Sequence, residues 1–262
     1  MLLLALTMGI ACNVFIVGIN QIADVDIDRI NKPYLPIASG ALSVRQATII
    51  ACAALAVCLG IASFISSYLF AIIALAAGIG WAYSMPPLHL KQHHLSAAVA
   101  ITTVRGVLVN LGGFMVFNHI VNRSLVLPEN VKILTVFIIV FSIVISWFKD
   151  LPDVKGDAKY RIRTLAILYS PRTAVIAGHL LVGAAYLFTI GMKYADLRAS
   201  TTPSMETRVL LYGHVVLLAL FIINAFSIRL GRYTSIRKFY KRFWWFFFAE
   251  YLLYLAAYLS PV

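Results

Sequence analysis

Charge is scarce in this sequence. Only 12% of the residues are charged, against roughly a quarter in ordinary soluble domains. Hydrophobic residues make up 61% and the mean hydropathy is +0.89, so the chain cannot cover a water-facing surface. That excludes a soluble globular protein. Cysteine is nearly absent as well. Cys12, Cys52 and Cys58 all lie in apolar runs and read as small buried hydrophobes, which excludes a disulfide framework. The short alternating segments of an outer-membrane barrel are missing. No basic start precedes the first apolar run, so no cleavable leader is expected. No serine, cysteine or histidine arrangement marks a nucleophile triad.

What the chain does have is long apolar runs, mostly about 18–25 residues, which is the length of a membrane-spanning helix. They predict an all-α integral membrane protein with about eight transmembrane helices, near 1–19, 44–64, 67–84, 95–117, 131–148, 171–192, 206–229 and 240–259. Residues 1–262 read as one integral domain. The run at 95–117 is the least regular, since it carries Arg105, Asn110 and three glycines. The net charge of +12 would point to nucleic acid on a soluble protein, but here it belongs to loops, and no nucleic-acid partner is expected. Sixteen of the 22 basic residues fall on one side of an eight-helix topology. By the positive-inside rule that side faces the cytoplasm or a plastid stroma.

The acids are distributed differently. Of ten, six lie in two short stretches on that basic side, Asp24, Asp26 and Asp28 after the first helix and Asp150, Asp153 and Asp157 after the fifth. If the first helix continues, Asp24 and Asp28 share a face with Asn20 one turn earlier, and Asp26 points away. In "DLPDVKGD" the spacing again gives one helical face, although Pro152 and Gly156 mark a bend or break. The plain alternative is two solvated loops held by salt bridges. Carboxylates this crowded repel unless a cation lies between them, and oxygen donors suit Mg²⁺, which takes one or two carboxylates, waters and substrate phosphate oxygens. Lys91, Lys149, Lys159, Arg161 and Arg163 are at hand to neutralise the remaining phosphate charge. A prenyl diphosphate matches such a site, because its tail partitions into hydrocarbon and its head needs metal.

The stretch Asn20–Asp28 resembles the first signature of the UbiA-type intramembrane prenyltransferases, and Asp150–Asp157 resembles the second. "YSMPPLHLK", residues 83–91, resembles a further family segment. Within the family, "NQIADVDIDRINKPYLPIASG" and "TVRGVLVNLG" are most similar to the homogentisate prenyltransferases that transfer phytyl, geranylgeranyl or solanesyl groups. The resemblance implies helices around a central cavity and Mg²⁺-dependent transfer of a prenyl group to an aromatic acceptor in tocopherol or plastoquinone synthesis. With homogentisate it also implies loss of the side-chain carboxylate. It assigns Asp24, Asp28, Asp150, Asp153 and Asp157 to the metal and catalysis, Asn20 and Lys91 to the diphosphate end, and Tyr83 and Ser84 to the cavity. Lys149 and Arg161 are further candidate phosphate contacts. Arg105, costly in a membrane helix, is either a contact near the diphosphate or a snorkelling side chain. The family usually has nine transmembrane helices, so its first helix is expected to be missing here. The expected location is a plastid membrane or a bacterial inner membrane.

Three rivals remain in view. A flavonoid, coumarin or 4-hydroxybenzoate-like acceptor would keep the donor chemistry. A cation transporter would need acids deep in the helices, where only Glu250 lies. An intramembrane aspartyl protease would need two deep aspartates, but Gly156-Asp157 falls in a loop. His89, His93 and His94 read as solvated loop residues, with no cysteine or carboxylate pair beside them to make a soft-metal site.

Overall fold

The computed structural model describes residues 2–160 and 162–260, with the side chain of Lys155 set aside. Among the described residues there is no β-strand, and an isolated bridge joins His93 to Arg163. Among the described residues, seven helices are long and apolar enough to cross a membrane. They are α1 (Leu2–Ala23), α3 (Val44–Ile65), α4 (Ser67–Ser84), α5 (His94–Asn122), α6 (Glu129–Phe148), α9 (Pro171–Ala199) and α10 (Met205–Ala225). Shorter helices fill the connections: α2 (Val25–Asn31), α7 (Val154–Lys159) and α8 (Leu165–Leu168). The eighth expected span lies inside α11 (Tyr233–Tyr258), whose first turns carry Arg237, Lys238, Lys241 and Arg242. Large apolar side chains such as Phe64, Phe188 and Phe226 stand exposed, as lipid-facing residues do.

Unpaired N–H groups at a helix start are expensive near hydrocarbon. Four spans open on a serine that accepts one of them. Ser43 makes a capping box with Gln46 for α3, and Ser66, Ser170 and Ser204 cap α4, α9 and α10. Pro171 follows Ser170 at a position where no N–H is needed.

The chain divides into two compact units. The first comprises Met1–Val126 and Asp153–Thr164, the second Leu127–Pro152 and Leu165–Val262. In the first, α1, α3 and α4 approach closely through small residues, including the buried Ala51, Ala62, Ala76 and Ala77. A Cβ on Gly80 would lie 2.7 Å from Ile16 Cγ1, so only glycine lets α4 sit this close to α1. Met8, Cys12, Cys58, Leu69, Ile73 and Val116 form a core cluster beside that contact. The irregular run expected at 95–117 is helical throughout, but residues Thr103–Gly112 form a π-helix.

The second unit has a core of aromatic rings. Phe137, Phe141, Phe148, Phe221, Phe239 and Phe243 are fully buried, with neighbouring centroids such as Phe141–Phe243 and Phe148–Phe243 at 4.8 Å. These rings are packed on one another, which accounts for much of the chain's aromatic content.

Candidate active site

The first aspartate motif sits where α1 gives way to α2. Asp24 has turn geometry (φ −104°, ψ 13°), yet the hydrogen-bond ladder runs on through it. The Asp24 N–H donates to the Asn20 carbonyl at 3.0 Å, Asp28 to Asp24 at 2.7 Å and Lys32 to Asp28 at 2.7 Å. Asn20, Asp24, Asp28 and Lys32 therefore form one row, four residues apart. Asp26 falls off that row; it is exposed and pairs with Arg29 at 3.0 Å. Asp28 is buried.

The row is fastened at its start to the end of α4, where Asn20 Nδ2 donates to Ser84 Oγ at 3.2 Å. Ser84 is fully buried and Tyr83, beside it, partly so. After α4 the chain turns at Pro86–Pro87, through a cis peptide bond, into a 3₁₀ turn at Leu90–Gln92. That turn sets Lys91 Nζ 2.5 Å from Asp24 Oδ1, and the Lys91 side chain is only 6% exposed. The His94 N–H donates to the Arg163 carbonyl at 3.1 Å and the Arg163 N–H to the Gln92 carbonyl at 2.9 Å. The Lys91 turn is thus pinned to the segment that follows the second motif.

The break that Pro152 foreshadows falls at residues 149–153, a run of turns. The three aspartates consequently do not share one helix, because α6 ends at Phe148 and α7 starts after Asp153. Asp150 closes the α6 side, in the second unit, buried and paired with Lys149 at 2.8 Å. Asp153 and Asp157 belong to the first unit, on either side of the start of α7, and both are buried.

Within the first unit the two motifs meet through two residues that the sequence pattern did not single out. Lys32 Nζ lies 2.5 Å from Asp153 Oδ2 and 3.9 Å from Asp28 Oδ1, so one ammonium spans both motifs. Asn31, also buried, accepts from the Gly156 N–H on Oδ1 at 3.0 Å and donates from Nδ2 to Asp157 Oδ1 at 3.5 Å. A Cβ on Gly156 would stand 2.4 Å from Asn31 Oδ1, so the glycine is required by this contact. The available signal was position. Asn31 and Lys32 lie three and four residues beyond Asp28, on the same helical face.

Burial raises the Asp28 carboxyl to about 6; the like charges of Asp24 and Asp153 push the same way, and Lys32 and Lys91 oppose them. Among the described residues, no three histidine, cysteine, aspartate or glutamate side chains gather into a group that could hold one metal ion. Ammonium groups stand among the carboxylates instead. The donors still fit a hard divalent cation, which needs only one or two protein carboxylates. Among the described residues, Asp153 Oδ1 is buried without a hydrogen-bond partner.

Of the other expected contacts, Arg105 is partly buried in the π-helical stretch of α5. Lys159 and Arg163 are exposed. Arg161 lies outside the described residues.

Spanning helices with a two-segment acidic site at their ends define a multi-pass membrane protein whose polar chemistry sits at helix termini. A family model for the UbiA prenyltransferase family matches residues 1–247, and the chain belongs to that family. It is 39% identical over 249 residues to the homogentisate phytyltransferase of Synechocystis sp., covering 95% of this chain and 79% of that protein. It is 36% identical to the chloroplastic homogentisate solanesyltransferase of Arabidopsis thaliana, covering 96% of this chain and 64% of that protein. A solved UbiA homolog from Archaeoglobus fulgidus, bound to GPP and Mg²⁺, shares the fold with a TM-score of 0.64 at 18% identity. That match covers 96% of this chain and 87% of the homolog.

Proposed function

We propose that the chain is a Mg²⁺-dependent aromatic prenyltransferase that moves a prenyl group from its diphosphate onto homogentisate, in tocopherol or plastoquinone synthesis. One observation carries this reading. Two aspartate stretches more than 120 residues apart in sequence are drawn together in the first unit and tied by Asn31 and Lys32. A pair of solvated loops would have no need of buried carboxylates linked in this way. The names of the relatives supply the donor and acceptor classes. Both units are read as parts of one prenyltransferase domain, as the extent of the family match supports.

Asp24, Asp28, Asp153 and Asp157 would hold the divalent cation, with Asp150 assigned to the same set. Once bound, the ion supplies Lewis-acid stabilisation of the diphosphate leaving group. Lys91 is a fixed cation beside Asp24, and Lys149, Arg161 and Arg105 add positive charge for the phosphate oxygens. Tyr83 and Ser84 at the end of α4, with Asn20 of α1 hydrogen-bonded to Ser84, hold the approach. The allylic C–O bond breaks with its electron pair going to the diphosphate, and the surrounding apolar helices keep water from the allylic cation. A ring carbon of the acceptor attacks that cation, a carbon–carbon bond forms and the ring loses its proton; with homogentisate the side-chain carboxylate also leaves as CO₂ and a proton takes its place, so the side chain ends as a methyl group. The basic side, carrying both motifs, is read as facing the cytoplasm or stroma.

The test is a product assay. Membranes containing the chain are given Mg²⁺, a panel of prenyl diphosphates, and homogentisate, a flavonoid or 4-hydroxybenzoate, and products are identified by mass. A prenylated homogentisate product that lacks the side-chain carboxylate, and that disappears with a chelator, is the expected result. Prenylation of the flavonoid alone would move the acceptor. Absence of any metal-dependent product would overturn the reading.

A further inference from the structure

Two lysines pair with the aspartates of the first unit, and their settings differ. The Lys91 side chain is enclosed against Asp24, whereas that of Lys32 is 31% exposed and reaches Asp28 and Asp153 from the solvent side. Lys32 follows the last residue of α2, at a non-helical position (φ −143°, ψ 59°), so helix geometry does not fix its stem. Its ammonium touches one oxygen of Asp153, while the other oxygen of that carboxylate is buried with no hydrogen-bond partner among the described residues. Among the described residues, Lys32 is thus the ammonium that bridges Asp28 and Asp153, and it is partly open to solvent.

We propose that Lys32 is an internal stand-in cation. It holds Asp28 and Asp153 together while the site is empty, yields them to the incoming divalent ion, and turns its ammonium to the diphosphate that arrives with that ion. This rests on the functional reading above. The physical reason is charge. An ammonium and a divalent ion drawn to the same oxygens repel each other strongly at low effective dielectric, so one must leave. Metal alone has to displace Lys32 from two carboxylates. Metal with diphosphate gives the displaced ammonium a new anionic partner, so the two ligands favour each other's binding, and by linkage the effect is reciprocal.

The experiment measures Mn²⁺ binding to the purified full chain in detergent, by the electron paramagnetic resonance signal of free Mn²⁺, with and without inorganic pyrophosphate. A protein-free titration corrects for the Mn²⁺–pyrophosphate complex formed in solution. Lys32→Met should bind Mn²⁺ alone about tenfold or more tighter than the wild type, within the usual range of coupling energies, and should lose most of the gain pyrophosphate confers. Lys32→Arg, which keeps the charge, should behave like the wild type. Lys32→Gln gives the same comparison if the Met variant is not recovered folded. Unchanged or weaker Mn²⁺ binding in the charge-removing variants overturns the stand-in role. Asp153→Asn separates the two levels of inference. If the wild type binds Mn²⁺ with pyrophosphate and Asp153→Asn does not, the metal site stands and the Lys32 variants decide the proposal. If neither the wild type nor any variant binds Mn²⁺ in an Asp153-dependent way, the functional reading falls and takes this proposal with it.

Discussion

The aspartate cluster of the first unit and the deepest ionisable pair of the second are both buried, and they are built in opposite ways. In the first unit the acids sit at helix ends, share lysines, and keep one cation partly open to solvent. In the second, His214 of α10 faces Glu250 of α11 at 3.1 Å with both side chains at 0% exposure. His214 Nδ1 is 2.6 Å from the Leu210 carbonyl. His214 Nε2 is the ring atom that faces the Glu250 carboxylate. The rings of Phe137, Tyr186 and Tyr254 lie around the imidazole. Nothing there has a route to water. The contrast separates a charge cluster that can be exchanged for a ligand from one that is sealed for structure. It also answers the transport reading, since the one acid deep among the spans is locked to a histidine of its own unit.

Substitutions in both units would break or sharpen that contrast. Asp153→Ala should lower turnover by more than about 100-fold, beyond the range typical of groups that only support metal ligands, while the protein remains in the membrane. Product assays on membranes with matched protein levels check this; retained activity would remove Asp153 from the site. Gly156→Ala comes next. Its methyl group would collide with Asn31 and pull Asp157 from its partner, for an expected loss of about 10–100-fold in turnover or metal affinity. Asn31→Ala should give a loss of the same order, and the double variant should cost little more than either single one, because both act on one contact.

Glu250→Leu should do the reverse of Asp153→Ala. Removing one partner of a sealed pair costs about 3–5 kcal/mol of stability. A lower unfolding midpoint in detergent should therefore accompany normal turnover per folded molecule, and His214→Leu in the same chain should recover part of the loss. Lost turnover at unchanged stability would make the sealed pair functional. Asp26→Ala should have the smallest effect. Its exposed pair with Arg29 is worth at most about 1 kcal/mol, and neither turnover nor the unfolding midpoint should move measurably.

Much of this was legible in the sequence, for identifiable reasons. Apolar length alone locates the spans, because a bilayer sets a minimum that α1, α3 and α6 meet. The four-residue spacing of Asn20, Asp24 and Asp28 places them in a row even though α1 is interrupted at Asp24, since the turn keeps the backbone ladder. Pro152 correctly marks where the second motif leaves the helix. Asn31 and Lys32 were harder. Each looks like an ordinary polar residue at a helix end, and its role is set by partners more than 120 residues away that no local spacing reveals. The need for glycine at 156 is hidden for the same reason, because the atom that forbids a side chain belongs to Asn31.

The wide π-helical coil at Thr103–Gly112 has a consequence for insertions and deletions. In a regular α-helical span, dropping one residue keeps the hydrogen-bond ladder but turns everything downstream by about 100°. The wide coil can take up the change instead, because rewinding part of it to the tighter α geometry absorbs a lost residue. Val116, downstream of the coil, would then keep much of its phase toward the cluster it shares with Met8, Leu69 and Ile73. Length is thus enforced less strictly at this point of the chain than in the regular spans.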